Sequence, residues 1–158
     1  MNLSPQGTLQ TDPAAAPAVR AWTRLLRAYT ATASCLSPAL LAEHGLTLND
    51  YEALKLLAQA DGRRMRRVDL AAALSLSASG VTRLLEGLEE DDLVERATCP
   101  HDRRVAYAQL TIAGVESLQA ASCGHAASIR DLLEESLTET EIEELAELLG
   151  KVAGDDPR

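Results

Sequence analysis

Between Ser77 and Thr111 the apolar residues change their spacing, and that change restricts the chain more than any other feature. Val81, Leu84, Leu85 and Leu88 recur at i, i+3, i+4 and i+7, the stripe of an amphipathic helix. A few residues on, LVERA (93–97) and VAYAQLT (105–111) are short, partly alternating runs. Between them lies Thr98-Cys99-Pro100-His101-Asp102, which is turn chemistry. The expected structure is a helix followed by a two-stranded antiparallel hairpin with a charged tip.

Other helices surround this unit. Val19, Trp22, Leu26, Tyr29, Ala33, Leu36 and Leu40 form a coiled-coil-like stripe, suited to a subunit interface or to burial within the chain's own domain. Ser37-Pro38 suggests a kink or restart in that stripe, and Gly45 ends it. Thr47 and Asp50 resemble a capping box for a second helix bearing Leu48, Tyr51, Leu54 and Leu57, which Asp61-Gly62 terminates. A short third helix covers Val68 to Leu74, and a fourth begins after Ser77. Thr111 caps a fifth helix with Ile112, Val115, Leu118, Ile129, Leu132 and Leu133. Thr138-x-x-Glu141 caps a sixth, with Ile142, Leu145, Leu149 and Val152 expected to face inward. The fold class is therefore mainly α, an α+β winged helix-turn-helix of about six helices with a two-stranded β wing. Residues 1–16, polar and rich in Pro and Ala, read as a flexible tail.

A chain of 158 residues is about one domain long, and with no Phe and one Trp its core must rest on Leu, Ala and Val. The net charge of −9 is unpromising for a ligand of polyanionic chemistry until its distribution is considered. Residues 112–158 hold eleven acidic and three basic side chains, a net of −8. Residues 63–83 hold Arg63, Arg64, Arg66, Arg67 and Arg83 against Asp69 alone, a net of +4. Residues 96–104 add three arginines against Asp102, a net of +2. A polyanion responds to charge within roughly a Debye length, ~8 Å in physiological salt, so the local balance governs. The absence of an apolar leader or span, and three scattered cysteines (Cys35, Cys99, Cys123), point to the cytoplasm without a disulfide framework.

Helix, short helix, turn, helix and charged hairpin together suggest a DNA-binding unit. Opposite the apolar stripe of the fourth helix lie Ser79, Arg83, Glu86 and Glu90, with Thr82 at the flank. That face is small, polar or cationic at its start and acidic at its end, which suits insertion end-first into a major groove. Ser77, Ser79, Thr82 and Arg83 are the candidates to meet bases and phosphates, with Arg66 and Arg67 as further phosphate contacts. A merely solvated helix face remains the alternative for this helix taken alone.

Leu70 to Gly114 resembles the signature region of MarR regulators. The matching motifs are Val81-Thr82-Arg83-Leu84, Leu93-Val94-Glu95-Arg96, Asp102-Arg103-Arg104 and Leu110-Thr111-Ile112-Ala113-Gly114. Weaker likeness extends over about residues 19–152. The resemblance implies an intertwined homodimer, with 17–45 and 111–152 as its helical dimerisation region and 46–110 as the winged helix-turn-helix. It implies wings that reach into minor grooves of a pseudo-palindromic operator in double-stranded DNA. By position, Arg104 is then the minor-groove arginine and Asp102 its orienting partner, with His101 and Arg103 on the backbone. The sequence departs from the pattern at Asp92, where the family commonly has Gly, and the short third helix has Arg66 and Arg67 where a Ser or Thr cap is usual.

The resemblance also implies a repressor released by a small-molecule effector, such as an aromatic acid. Trp22, Tyr29, His44 and Tyr51 are the local candidates for an aromatic-lined pocket, although each also suits ordinary core or interface. A redox- or metal-responsive regulator of the same fold is an alternative. Against it, the helix-borne histidine pair of a zinc site is missing, and no metal or other cofactor is expected. A winged-helix protein-interaction module without DNA binding is the other rival, favoured by the acidity. No phosphate-cradling loop, H-E-x-x-H, C-x-x-C or nucleophile elbow appears, so the expectation is a regulator and not an enzyme, with no membrane partner.

Overall fold

A computed structural model describes residues 16–98 and 106–154. The chain forms two compact units, one ending at Cys35 and one beginning at Leu36. Helix α1 (Ala16–His44) runs through Pro38 without the expected restart and ends at Gly45, whose φ of 69° is the left-handed value that favours glycine.

In the second unit, α2 (Leu48–Gln59) starts with the capping box expected from Thr47 and Asp50. The Thr47 N–H donates to Asp50 Oδ2 at 2.9 Å, and the Asp50 N–H donates to Thr47 Oγ1 at 3.2 Å. A single 3-10 turn (Asp61–Arg63) then leads into β1 (Arg64–Arg66), and α3 (Arg67–Ala73) and α4 (Ala78–Glu90) follow. The hairpin strands are β2 (Val94–Thr98) and β3 (Ala106–Leu110), paired from Val94↔Leu110 to Thr98↔Ala106. The sheet has three antiparallel strands in the order β1-β3-β2, one more than the expected two. Three residues, Arg-Met-Arg, are too few to carry an alternation of their own, and they become a strand because β3 offers them a free edge.

Leu54, Leu57, Leu70 and Leu85 are fully buried, joined by Tyr51, Val81, Leu88, Val94 and Leu110 in one core. Each such leucine contributes roughly 1.5–3 kcal/mol relative to exposure. All of the expected apolar positions of α4 pack here except Leu84, which is half-buried against the cluster. The last helices are α5 (Ile112–Glu134), capped by Thr111, and α6 (Glu139–Ala153), capped by Thr138. Hydrogen bonds from the Thr138 backbone and hydroxyl hold the Glu141 carboxyl below its ordinary pKa. Contrary to expectation, α6 does not turn its apolar face inward: Leu145, Leu149 and Val152 are exposed, with Leu148. Periodicity reports that a helix has an apolar face but not whether its own chain covers that face.

Candidate nucleic-acid interface

Helices α3 and α4 meet at 107°, within the range of a helix-turn-helix. The turn is built by Ser75 at φ 54°, and the Leu76 N–H donates back to Ala71 O at 2.9 Å. Ser77 then caps α4, its Oγ accepting from the Gly80 N–H at 3.1 Å and lying 3.1 Å from Ser79 Oγ. With Val81, Leu85 and Leu88 anchored in the core, Ser77, Ser79 and Arg83 are exposed. Thr82 is half-buried, its hydroxyl donating to Ala78 O. Four of the candidate DNA-contacting residues therefore cluster at one end of one helix. Glu86 and Glu90 are exposed farther along and make no ion pair among the described residues.

Two arginines of the cationic tracts are already paired. Arg66 donates from Nε and a terminal nitrogen to the two Asp69 oxygens at 2.6 and 2.8 Å, so the N-cap residue of α3 grips its third residue instead of capping the backbone. Arg96 on β2 donates from Nε to both Glu89 oxygens at 3.1 Å. Arg67 is half-buried, with one terminal nitrogen enclosed and without a hydrogen-bond partner among the described residues. His101, Asp102, Arg103 and Arg104, with Cys99, lie outside the described residues.

The base of the wing is locked by a contact that the motif Leu110-Thr111-Ile112-Ala113-Gly114 encodes. Thr111 Oγ1 donates to Asp92 O at 2.7 Å and accepts from the Gly114 N–H at 2.9 Å, while the Thr111 N–H donates to Leu93 O at 3.1 Å. Gly114 lies against that Leu93 carbonyl, so near that a Cβ would stand 2.1 Å from its oxygen. Asp92 adopts φ 58°, so it holds the left-handed conformation that the family pattern gives to Gly.

The effector candidates fall in both units. Trp22 and Tyr29 lie on the 16–35 segment, 60% and 67% exposed. His44 is half-buried beside Glu43, at 3.9 Å, and Tyr51 is buried. Tyr51 packs edge-on against His125 with ring centres 4.7 Å apart, and its hydroxyl donates to Ser122 Oγ at 3.3 Å. His44 and His125 share a crevice with Leu40, Glu43 and Ser128, whose free volume of about 10 Å³ suffices for roughly one water. His125 lines this crevice and is not among the effector candidates that the sequence suggests. The spacing Leu118, Ala121, Ser122, His125 would have found it, because those residues share the inward face of α5. Cys35 and Cys123 are exposed free thiols, and no three His, Cys, Asp or Glu among the described residues gather as a metal site. Among the described residues no single helix is long and apolar enough to cross a membrane.

Burial lowers the His125 pKa, opposed by Glu52 and reinforced by Lys55. The folded chain therefore keeps His125 neutral at a pH where the unfolded chain has taken up a proton. The stability this provides is complete above the unfolded pKa, ~6.5, and is lost as pH falls from there toward the folded value. Replacing His125→Phe keeps the ring contact and removes the titration. The melting temperature of the wild type should fall more between pH 7.5 and 5.5 than that of the variant, and parallel curves would refute this.

The sequence model of the MarR family matches residues 44–105. Over 110 residues the chain is 30% identical to the HTH-type transcriptional regulator MhqR of Bacillus subtilis (strain 168), covering 70% of this chain and 74% of MhqR. Among solved structures it is similar to AbsC, a MarR family transcriptional regulator from Streptomyces coelicolor. That match has 34% identity and a TM-score of 0.74 over 85% of this chain and 90% of AbsC. It is similar also to Sco3205, a MarR family transcriptional regulator of the same organism solved in complex with DNA. There the identity is 30% and the TM-score 0.76 over 87% of each chain.

Proposed function

This chain belongs to the MarR family of transcriptional regulators, and from that premise we propose that it is a homodimeric, sequence-specific binder of double-stranded DNA. The observation that carries the reading is the exposed polar end of α4, set at 107° to α3 by a core that buries its opposite face. Ser77, Ser79, Thr82 and Arg83 meet the major groove there, where the partial positive charge of the helix start favours phosphate. The wing contributes Arg104 to the flanking minor groove, with Asp102 holding its guanidinium and His101 and Arg103 on the backbone. The dimer forms through 17–45 and 111–152. Support comes from apolar residues left exposed in both segments, among them Trp22, Leu26, Leu148 and Val152.

Within this reading the protein is a cytoplasmic repressor and not an enzyme. It is released when a small aromatic acid favours a dimer whose recognition helices no longer match the operator spacing. The DNA upstream of its own gene is the first target to test. Arg104→Ala should weaken specific binding by ~1–3 kcal/mol while sedimentation still reports a dimer. Unchanged affinity would remove the wing from the mechanism.

A further inference from the structure

The tract Arg63-Arg64-Met65-Arg66-Arg67 holds four arginines, and the fold gives them different fates. Arg66 is clamped by Asp69, and Arg67 is half-buried. Arg63 and Arg64 are exposed, and neither has a carboxylate partner among the described residues. Strand β1 is an edge strand, and its exposed–half-buried–exposed pattern sends Met65 toward the core and Arg64 outward. The Arg64 guanidinium carbon lies 5.4 Å from the centre of the Tyr107 ring on β3, a cation–π contact that limits where the fork can point without neutralising it. Gly62 and Arg63 take φ values of 60° and 54°, so the 3-10 turn delivers Arg63 through a backbone conformation that disfavours a side chain.

We propose that Arg63 and Arg64 form a phosphate-binding site on the sheet edge that extends the DNA contact beyond α4 and the wing. The proposal rests on the reading of this chain as a binder of duplex DNA. Because β1 runs antiparallel to β3, with Arg64 opposite Gln109 and Arg66 opposite Tyr107, it points toward the wing tip. Arg64 thus stands three residues behind Ala106, about 10 Å at the usual strand rise, on the sheet that carries the wing. The same strand feeds directly into α3, the first helix of the helix-turn-helix. Phosphodiester oxygens are the ligand that two adjacent guanidiniums, without a carboxylate partner among the described residues, would meet beside a minor-groove wing. Such contacts add affinity without reading sequence.

The test is a salt titration of binding to two labelled 40-base-pair duplexes, one from DNA upstream of the gene and one of random sequence. The full-length wild type is compared with the double variant Arg63→Gln/Arg64→Gln, whose folding is checked by circular dichroism and melting. Each lost phosphate contact removes about 0.9 from the slope of log K against log salt, so the variant's slope should be shallower by about 2 per bound protomer. Its affinity should fall about equally on both duplexes, leaving their ratio unchanged. Arg64→Lys, which keeps the charge, should restore about half of the lost slope when combined with Arg63→Gln. A folded double variant with the wild-type slope would overturn the site, as would a loss confined to the upstream duplex. If the wild type binds neither duplex, the DNA-binding reading itself fails and this site falls with it.

Discussion

Gly114→Ala should destabilise the chain by about 3 kcal/mol, the upper end of the cost of overpacking a filled site. The added methyl would stand 2.1 Å from Leu93 O and 2.7 Å from Leu110 Cδ1. A leucine methyl can rotate away, but the carbonyl cannot. It is pinned by the Thr111 N–H and by a 3.1 Å bond from the Thr111 hydroxyl, which also ties down Asp92 O. Relief requires the first turn of α5 to lift from the start of β2, breaking the lock at the base of the wing. In a chain of this length each kcal/mol shifts the melting temperature by roughly 2–4 °C, so the midpoint should drop by about 6–12 °C. DNA binding should weaken with it, because β2 and β3 enter and leave the wing through this point. A midpoint within 2 °C of wild type would show that α5 pivots freely, and the lock would have no energetic meaning.

DNA affinity should fall by about 10⁴-fold between 50 and 200 mM salt, despite a chain that carries nine net negative charges. About eight phosphate contacts over two protomers give a slope of log K against log salt near −7. Residues 112–158 carry a net of −8 and residues 84–95 a further −6, whereas Arg63, Arg64 and Arg83 are exposed and without carboxylate partners among the described residues. Screening confines each charge to its neighbourhood, so the local balance around these arginines, and not the chain total, governs the field at the DNA. The rival reading, a winged-helix module for protein partners, draws on Glu86 and Glu90 of α4, exposed and without an ion pair among the described residues. It predicts no binding, or binding with a flat salt response, and the same titration separates the two.

Much of the architecture was legible because it is written in local chemistry. Both capping boxes, the α4 stripe and the paired hairpin runs appear where residue spacing put them. The elements that escaped depend on partners distant in sequence. β1 exists through pairing with residues more than forty positions away, and the Tyr51–His125 contact joins α2 to α5. The arginines show the same division within the candidate interface. Their clustering is plain in the sequence, but which of them pair with Asp69 and Glu89 is a matter of side-chain geometry.

The sequence by itself determined the helices, their caps, the hairpin and the cationic middle of an acidic chain. Each follows from residues within a turn or two of one another, where backbone preference and periodicity act. The tertiary structure alone decided the third strand, the outward face of α6, the carbonyl that Gly114 must clear and the pairing of Arg66 and Arg96 with carboxylates. Those depend on which surfaces meet in space, and close packing and charge pairing act through distance rather than sequence separation.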